Sequence, residues 1–108
     1  MLLELTERFL EKRLSKMSKS SADRLLDKLE EYEEKPDLLE SNLKIEQAGA
    51  YKDFFKKYKV KLSHFRVGDT RIIGLIKGET FYVVEAVPRG ALEKELDRIV
   101  SQFPFPID

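Results

Sequence analysis

The residues best suited to chemistry gather around one glycine-aspartate step. Arg66 and Arg71 flank Gly68-Asp69 symmetrically. A glycine in first place suits a two-residue type II′ turn, whose twist matches that of paired strands. Such a turn makes the two arginines direct cross-strand neighbours. Like charges so placed repel, at a cost of a few tenths to ~1 kcal/mol. The pair becomes useful when an anion lies between them, because guanidinium forks match phosphate oxygens. His64, the single histidine, lies two residues before Arg66 and therefore on the same strand face. Imidazole titrates near ~6.5 and can move protons at neutral pH, although a histidine on a strand is also commonly a satisfied surface residue. Arg89 follows a later strand that can return to the same end. One histidine without cysteine makes no typical zinc set, and Glu30, Glu31, Glu33 and Glu34 read as a solvated helix face.

These groups need a β-meander to hold them. The apolar period becomes two over Val60 to Val67, Thr70 to Lys77 and Thr80 to Val87, with a second Gly-X turn at Gly78-Glu79. Counting outward from the first turn sets His64 opposite Ile73 and Leu62 opposite Leu75. Counting from the second sets Leu75 opposite Tyr82, Ile73 opposite Val84 and Arg71 opposite Ala86. One face then carries His64, Arg66 and Arg71 beside Leu62, Ile73, Val84 and Ala86. The other, with Phe65, Ile72, Phe81, Val83 and Val87, is more apolar, and helices are expected to cover it.

Leu2 to Thr6 reads as a first strand. Leu10, Leu14 and Met17 continue as a helix, and Ser20 with Asp23 suits the N-cap of a second. Ala22, Leu25, Leu26, Leu29 and Tyr32 mark that second helix, which Pro36 stops near Lys35. Residues 37–49 show no period. Tyr51, Phe54, Phe55 and Tyr58 then predict a short helix among Lys52, Lys56, Lys57 and Lys59. Its rings either pack inward or stack on RNA bases. Leu92, Leu96, Ile99, Val100 and Phe103 mark a final helix, and Pro104-Phe105-Pro106 reads as a loose extended tail. The expected fold is α+β: an N-terminal strand and helical hairpin packed on an antiparallel β-meander, with a C-terminal helix, in one domain over residues 1–108.

Composition narrows the function classes. With 42% hydrophobic residues, the chain can fill a modest core. Its net charge of zero argues against an indiscriminate nucleic-acid binder. The charge is uneven, however: residues 49–90 hold 9 bases and 4 acids, so a local basic patch is available. No apolar run approaches the ~20 residues of a membrane span. Glu4 near the start, with no basic stretch there, argues against a signal peptide. The lack of cysteine excludes disulfides and thiolate nucleophiles and is compatible with a reducing cytosol.

The order of elements, the segment Phe65-Arg66-Val67-Gly68-Asp69-Thr70-Arg71-Ile72-Ile73 and the stretch Val84 to Arg89 together resemble the RelE/ParE superfamily of toxins from type II toxin–antitoxin systems. Members often carry a Lys-Leu-Arg-Val-Gly-Asp-Tyr-Arg-Ile type motif in this hairpin and an arginine after the last strand. The resemblance covers most of the chain. It implies a concave sheet face and, for RelE-type members, cleavage of messenger RNA in the ribosomal A site. There the 2′-hydroxyl attacks the adjacent phosphate without metal or cofactor, and basic groups stabilise the crowded phosphorane.

By this resemblance Arg71 matches a phosphate binder and Arg66 the basic position before the turn. Arg89 matches the arginine that stabilises the transition state. His64 stands where members often have a lysine, as a general acid or base. Lys59 and Lys61, in a lysine-rich stretch that looks like an insertion, are further substrate-binding candidates. The chain departs from the pattern at Thr70, where an aromatic is common, and at Val87-Pro88, where Gly-His or Gly-Lys is common. No tyrosine follows Arg89. The resemblance implies a cytoplasmic mRNA interferase that inhibits translation, with a cognate antitoxin, the ribosome and mRNA as partners and no membrane. A ParE-like topoisomerase inhibitor and a non-catalytic interaction module on the same fold are the alternatives.

Overall fold

The computed structural model describes residues 1–107. Strand β1 (Leu2–Leu5) leads into helix α1 (Glu7–Lys12), whose N-cap Thr6 hydroxyl accepts from the Phe9 amide. The helix expected to run through Met17 breaks at Arg13, and Leu14–Lys16 forms a single 3-10 turn. The break aims Arg13 Nε at Glu85 Oε1, 2.5 Å away. Helix α2 (Lys19–Glu34) is capped by Ser18 rather than Ser20. Ser18 has the extended backbone of a cap and accepts from the Ser21 amide at 3.3 Å, whereas Ser20 is already helical. Pro36 ends α2 as expected but does not open a loop. It occupies the first turn of helix α3 (Pro36–Asn42), where its missing N–H costs nothing.

The segment without a period thus holds α3 and a two-residue strand, β2 (Lys44–Ile45). Helix α4 (Gly49–Tyr58), strands β3 (Lys61–Val67), β4 (Thr70–Lys77) and β5 (Thr80–Pro88), a 3-10 turn at Arg89–Ala91 and helix α5 (Leu92–Gln102) complete an α+β fold. The sheet order is β1-β5-β4-β3-β2, with β1 parallel to β5 and the other pairs antiparallel.

The first hairpin has the expected register: Arg66 faces Arg71, His64 faces Ile73 and Leu62 faces Leu75. Gly68 takes φ of +60°, a region open to glycine at little cost. The second hairpin follows expectation as far as Leu75 opposite Tyr82 and then slips. A bulge between Ile73 and Gly74 inserts one extra residue on β5. Glu85, not Val84, faces Ile73, and Val87, not Ala86, faces Arg71. Ala86 and Val87 consequently exchange faces. Gly74 stands at the bulge, where a Cβ would collide with the Phe81 ring and the Tyr82 carbonyl oxygen, so the close approach needs a residue without a side chain.

Both faces of the sheet are covered, not only the more apolar one. Phe9, Leu25, Leu29, Tyr32 and Leu39 from α1, α2 and α3 pack on the face bearing Phe65, Ile72 and Phe81. Phe54 from α4 and Leu96 and Ile99 from α5 pack on the face bearing Leu62, Ile73 and Val84. The two roofing helices are tied by the Tyr51 hydroxyl, which donates to Asp97 Oδ1 at 3.0 Å. Burial, with that hydrogen bond, pushes the Tyr51 phenol up to about 12. The tail is anchored rather than loose: Phe103 meets the rings of Phe54 and Tyr58 edge-on, and Ile107 is buried. No helix among the described residues is long and apolar enough to cross a membrane.

Candidate functional site

The face roofed by α4 and α5 is apolar along most of its length, but its hairpin-turn end is left open. Leu62, Ile73 and Leu75 lie under the helices and are almost fully buried. Beyond them Arg66 is exposed and Arg71 is half-buried. Arg71 Nη1 donates to the Gly68 carbonyl at 3.3 Å, which holds one end of the guanidinium against the turn. On the outer side β2 sets Lys44 directly opposite His64. Asn42, the last residue of α3, joins Lys44, His64, Phe65, Arg66 and Arg71 in lining an open groove of about 400 Å³.

The groove is cationic. Among the described residues, no carboxylate lies within ion-pair distance of Lys44, Arg66 or Arg71. The acid that does reach its wall is Glu46, whose Oε1 is 2.6 Å from His64 Nδ1. Glu46 follows β2, and its amide donates to the Leu62 carbonyl at 2.9 Å, so strand-like pairing continues and its side chain falls on the face of His64. With the carboxylate accepting from Nδ1–H, the ring is fixed in orientation and Nε2 is left as the nitrogen that can exchange a proton. His64 is therefore a satisfied residue, 9% exposed, whose ring orientation is set by Glu46.

Arg89 reaches the same end of the sheet by its backbone: its amide donates to the Asp69 carbonyl at 2.9 Å. Its side chain is exposed and does not line the groove. Lys59 and Lys61 are placed elsewhere. They lie at the opposite end of β3, with ammonium groups 5.9 and 5.6 Å from the centroid of the Phe55 ring. Five residues of extended strand, ~17 Å, separate Lys61 from Arg66. The predicted residues thus divide into one group of His64, Arg66 and Arg71 with Arg89 nearby, and a second group around Phe55.

Asn42, Lys44 and Glu46 are site residues that sequence reasoning missed. The available signal was a four-residue alternation, Leu43 and Ile45 against Lys44 and Glu46, too short to stand out. The assembled groove gathers guanidinium and ammonium donors, groups whose chemistry suits a phosphodiester, with a hydrogen-bonded imidazole beside them. The chain matches no family model, no curated protein and no solved structure.

Proposed function

We propose that this protein is a RelE-like toxin of a toxin–antitoxin system, acting in the cytoplasm as a metal-independent, ribosome-dependent mRNA endoribonuclease. The observation that carries this reading is the opposed pair Arg66 and Arg71, unpaired with any described acid, beside the His64–Glu46 couple. A structural role does not explain two facing arginines without a carboxylate between them. A bound phosphodiester does, because its oxygens accept from both guanidinium groups and cancel their repulsion.

In this reading His64 Nε2 takes the proton of a ribose 2′-hydroxyl. The O2′–P bond forms, the P–O5′ bond breaks, and the leaving 5′-oxygen takes a proton from solvent. The products carry a 2′,3′-cyclic phosphate and a 5′-hydroxyl. Arg66 and Arg71 offset the extra negative charge of the phosphorane, where positioned donors are worth several kcal/mol, roughly 10²–10³ in rate for one donor, and Arg89, exposed at the same end of the sheet, holds the backbone of the message beside the groove. Glu46 acts through His64 by holding its ring. The ribosome supplies the message in an extended form, and a cognate antitoxin holds the protein inactive.

The test is expression in growing bacteria without an antitoxin. Growth arrest with cleaved mRNA is expected, and the double variant Arg71→Ala, Arg89→Ala should abolish both. Arrest and cleavage that survive the double variant would sink the assignment. A DNA-damage response without mRNA cleavage would select a ParE-like topoisomerase inhibitor instead.

A further inference from the structure

The lysine cluster at the far end of β3 has chemistry of its own. Beside β2 a second groove, also of about 400 Å³, is lined by Ile45, Tyr51, Lys52, Phe55, Lys56 and Lys61. Its lining is mainly apolar, yet its rim is cationic, since Lys59 also points its ammonium at the Phe55 ring. Phe54 and Tyr58 pack inward, so most of the α4 aromatics are core. Phe55 is the exception: it is 38% exposed, and Ile45 beside it is 42% exposed. The carboxylate that lines this groove, Glu46, is already engaged by His64.

Lys59 caps α4 in the left-handed region, with φ of +59°, where glycine is the favoured residue. A lysine there costs more than a glycine would, so the cap is held at some expense to the helix end. The Glu46–His64 pair stands between the two grooves, since Glu46 lines one and His64 the other. A polyanion leaving the arginine groove along β2 would therefore meet Phe55 and its lysines next.

We propose that Phe55 is a base-stacking platform for single-stranded RNA, with Lys56, Lys59 and Lys61 holding the flanking phosphates, so that the RNA runs from the arginine groove across the β2 edge. The proposal takes the nature of its ligand from the ribonuclease reading above. An exposed ring among lysines is the combination that single-strand binding surfaces use, the ring for bases and the cations for backbone. An acidic peptide is the competing occupant. The single exposed ring and the absence of an exposed row of apolar anchors on α4 favour nucleic acid.

The experiment measures fluorescence anisotropy of a labelled, unstructured ten-nucleotide RNA with the purified full chain. Phe55→Ala should weaken binding roughly 5- to 150-fold and Phe55→Trp should preserve it. Each of Lys56→Gln and Lys61→Gln should lower the salt slope by roughly 0.7. Lys59→Gly should raise the melting temperature while weakening binding, which separates the platform from a folding role. Unchanged affinity in Phe55→Ala would overturn the proposal. So would an acidic amphipathic peptide that binds in a Phe55-dependent way where the RNA does not. RNA binding that depends on Phe55, in a protein that cleaves no message on ribosomes, would keep the platform and discard the ribonuclease. Cleavage lost in the Arg71, Arg89 double variant but RNA affinity untouched by Phe55→Ala would do the reverse.

Discussion

Arg66 and Arg71 face each other at the end of a hairpin with no described acid between them, and such a pair weakens the fold it belongs to. Arg66→Gln keeps an unbranched polar side chain, two atoms shorter, and removes the repulsion. It should raise stability in urea by up to about 1 kcal/mol while weakening RNA binding and cleavage. A lower denaturation midpoint would show that Arg66 serves the structure instead. This pair was legible because a two-residue turn determines the residues nearest to it. The partner of His64 was not legible. Glu46 is 18 positions away and reaches the ring only through the two-residue strand β2.

At the scale of elements the bulge in β5 matters most. It carries Glu85 to the end of Arg13 and turns Val87 to the face of Arg71. Gly74 is what permits the close approach of the Phe81 ring. Gly74→Ala should destabilise by about 3 kcal/mol, the upper part of the range for overpacking, read from a thermal or urea melt. A near-neutral result would mean that the ring can move aside and that the bulge does not depend on a glycine at this position. Period counting failed here because an alternating pattern carries no mark of one extra residue on one strand. Helix α4 shows a similar mixture: its spacing predicted the helix, but only packing separated the core rings of Phe54 and Tyr58 from the exposed ring of Phe55.

Across the whole molecule, the two faces of the sheet have separate cores, and the C-terminal tail belongs to one of them. Phe103 packs against Phe54 and Tyr58, Phe105 lies under the Arg8 guanidinium, and Ile107 is buried. Ending the chain at Gln102 would expose the ring cluster that roofs β3. A loss of about 3–5 kcal/mol is expected, from burial worth ~1.5–3 kcal/mol for each fully buried large side chain, discounted for partial exposure. That is a large part of the ~5–15 kcal/mol that holds a domain together. Equal melting temperatures for the shortened and full chains would return the tail to the loose segment that its prolines suggested.

The chain by itself determined the α+β class, the meander with its flanking helices, the β3–β4 register and the facing arginines, though not α3 or β2, because periodicity and turn geometry act over a few residues. It also placed His64 on the face of Arg66 and put Arg89 just past the last strand. Only the tertiary structure decided which end of the sheet stays open, since that depends on where α4 and α5 settle. Only the tertiary structure brought Lys44 and Glu46 to His64 across β2, and carried Lys59 and Lys61 away from the arginines to Phe55. Those placements follow from long-range packing and strand pairing, and these join residues that no local pattern connects.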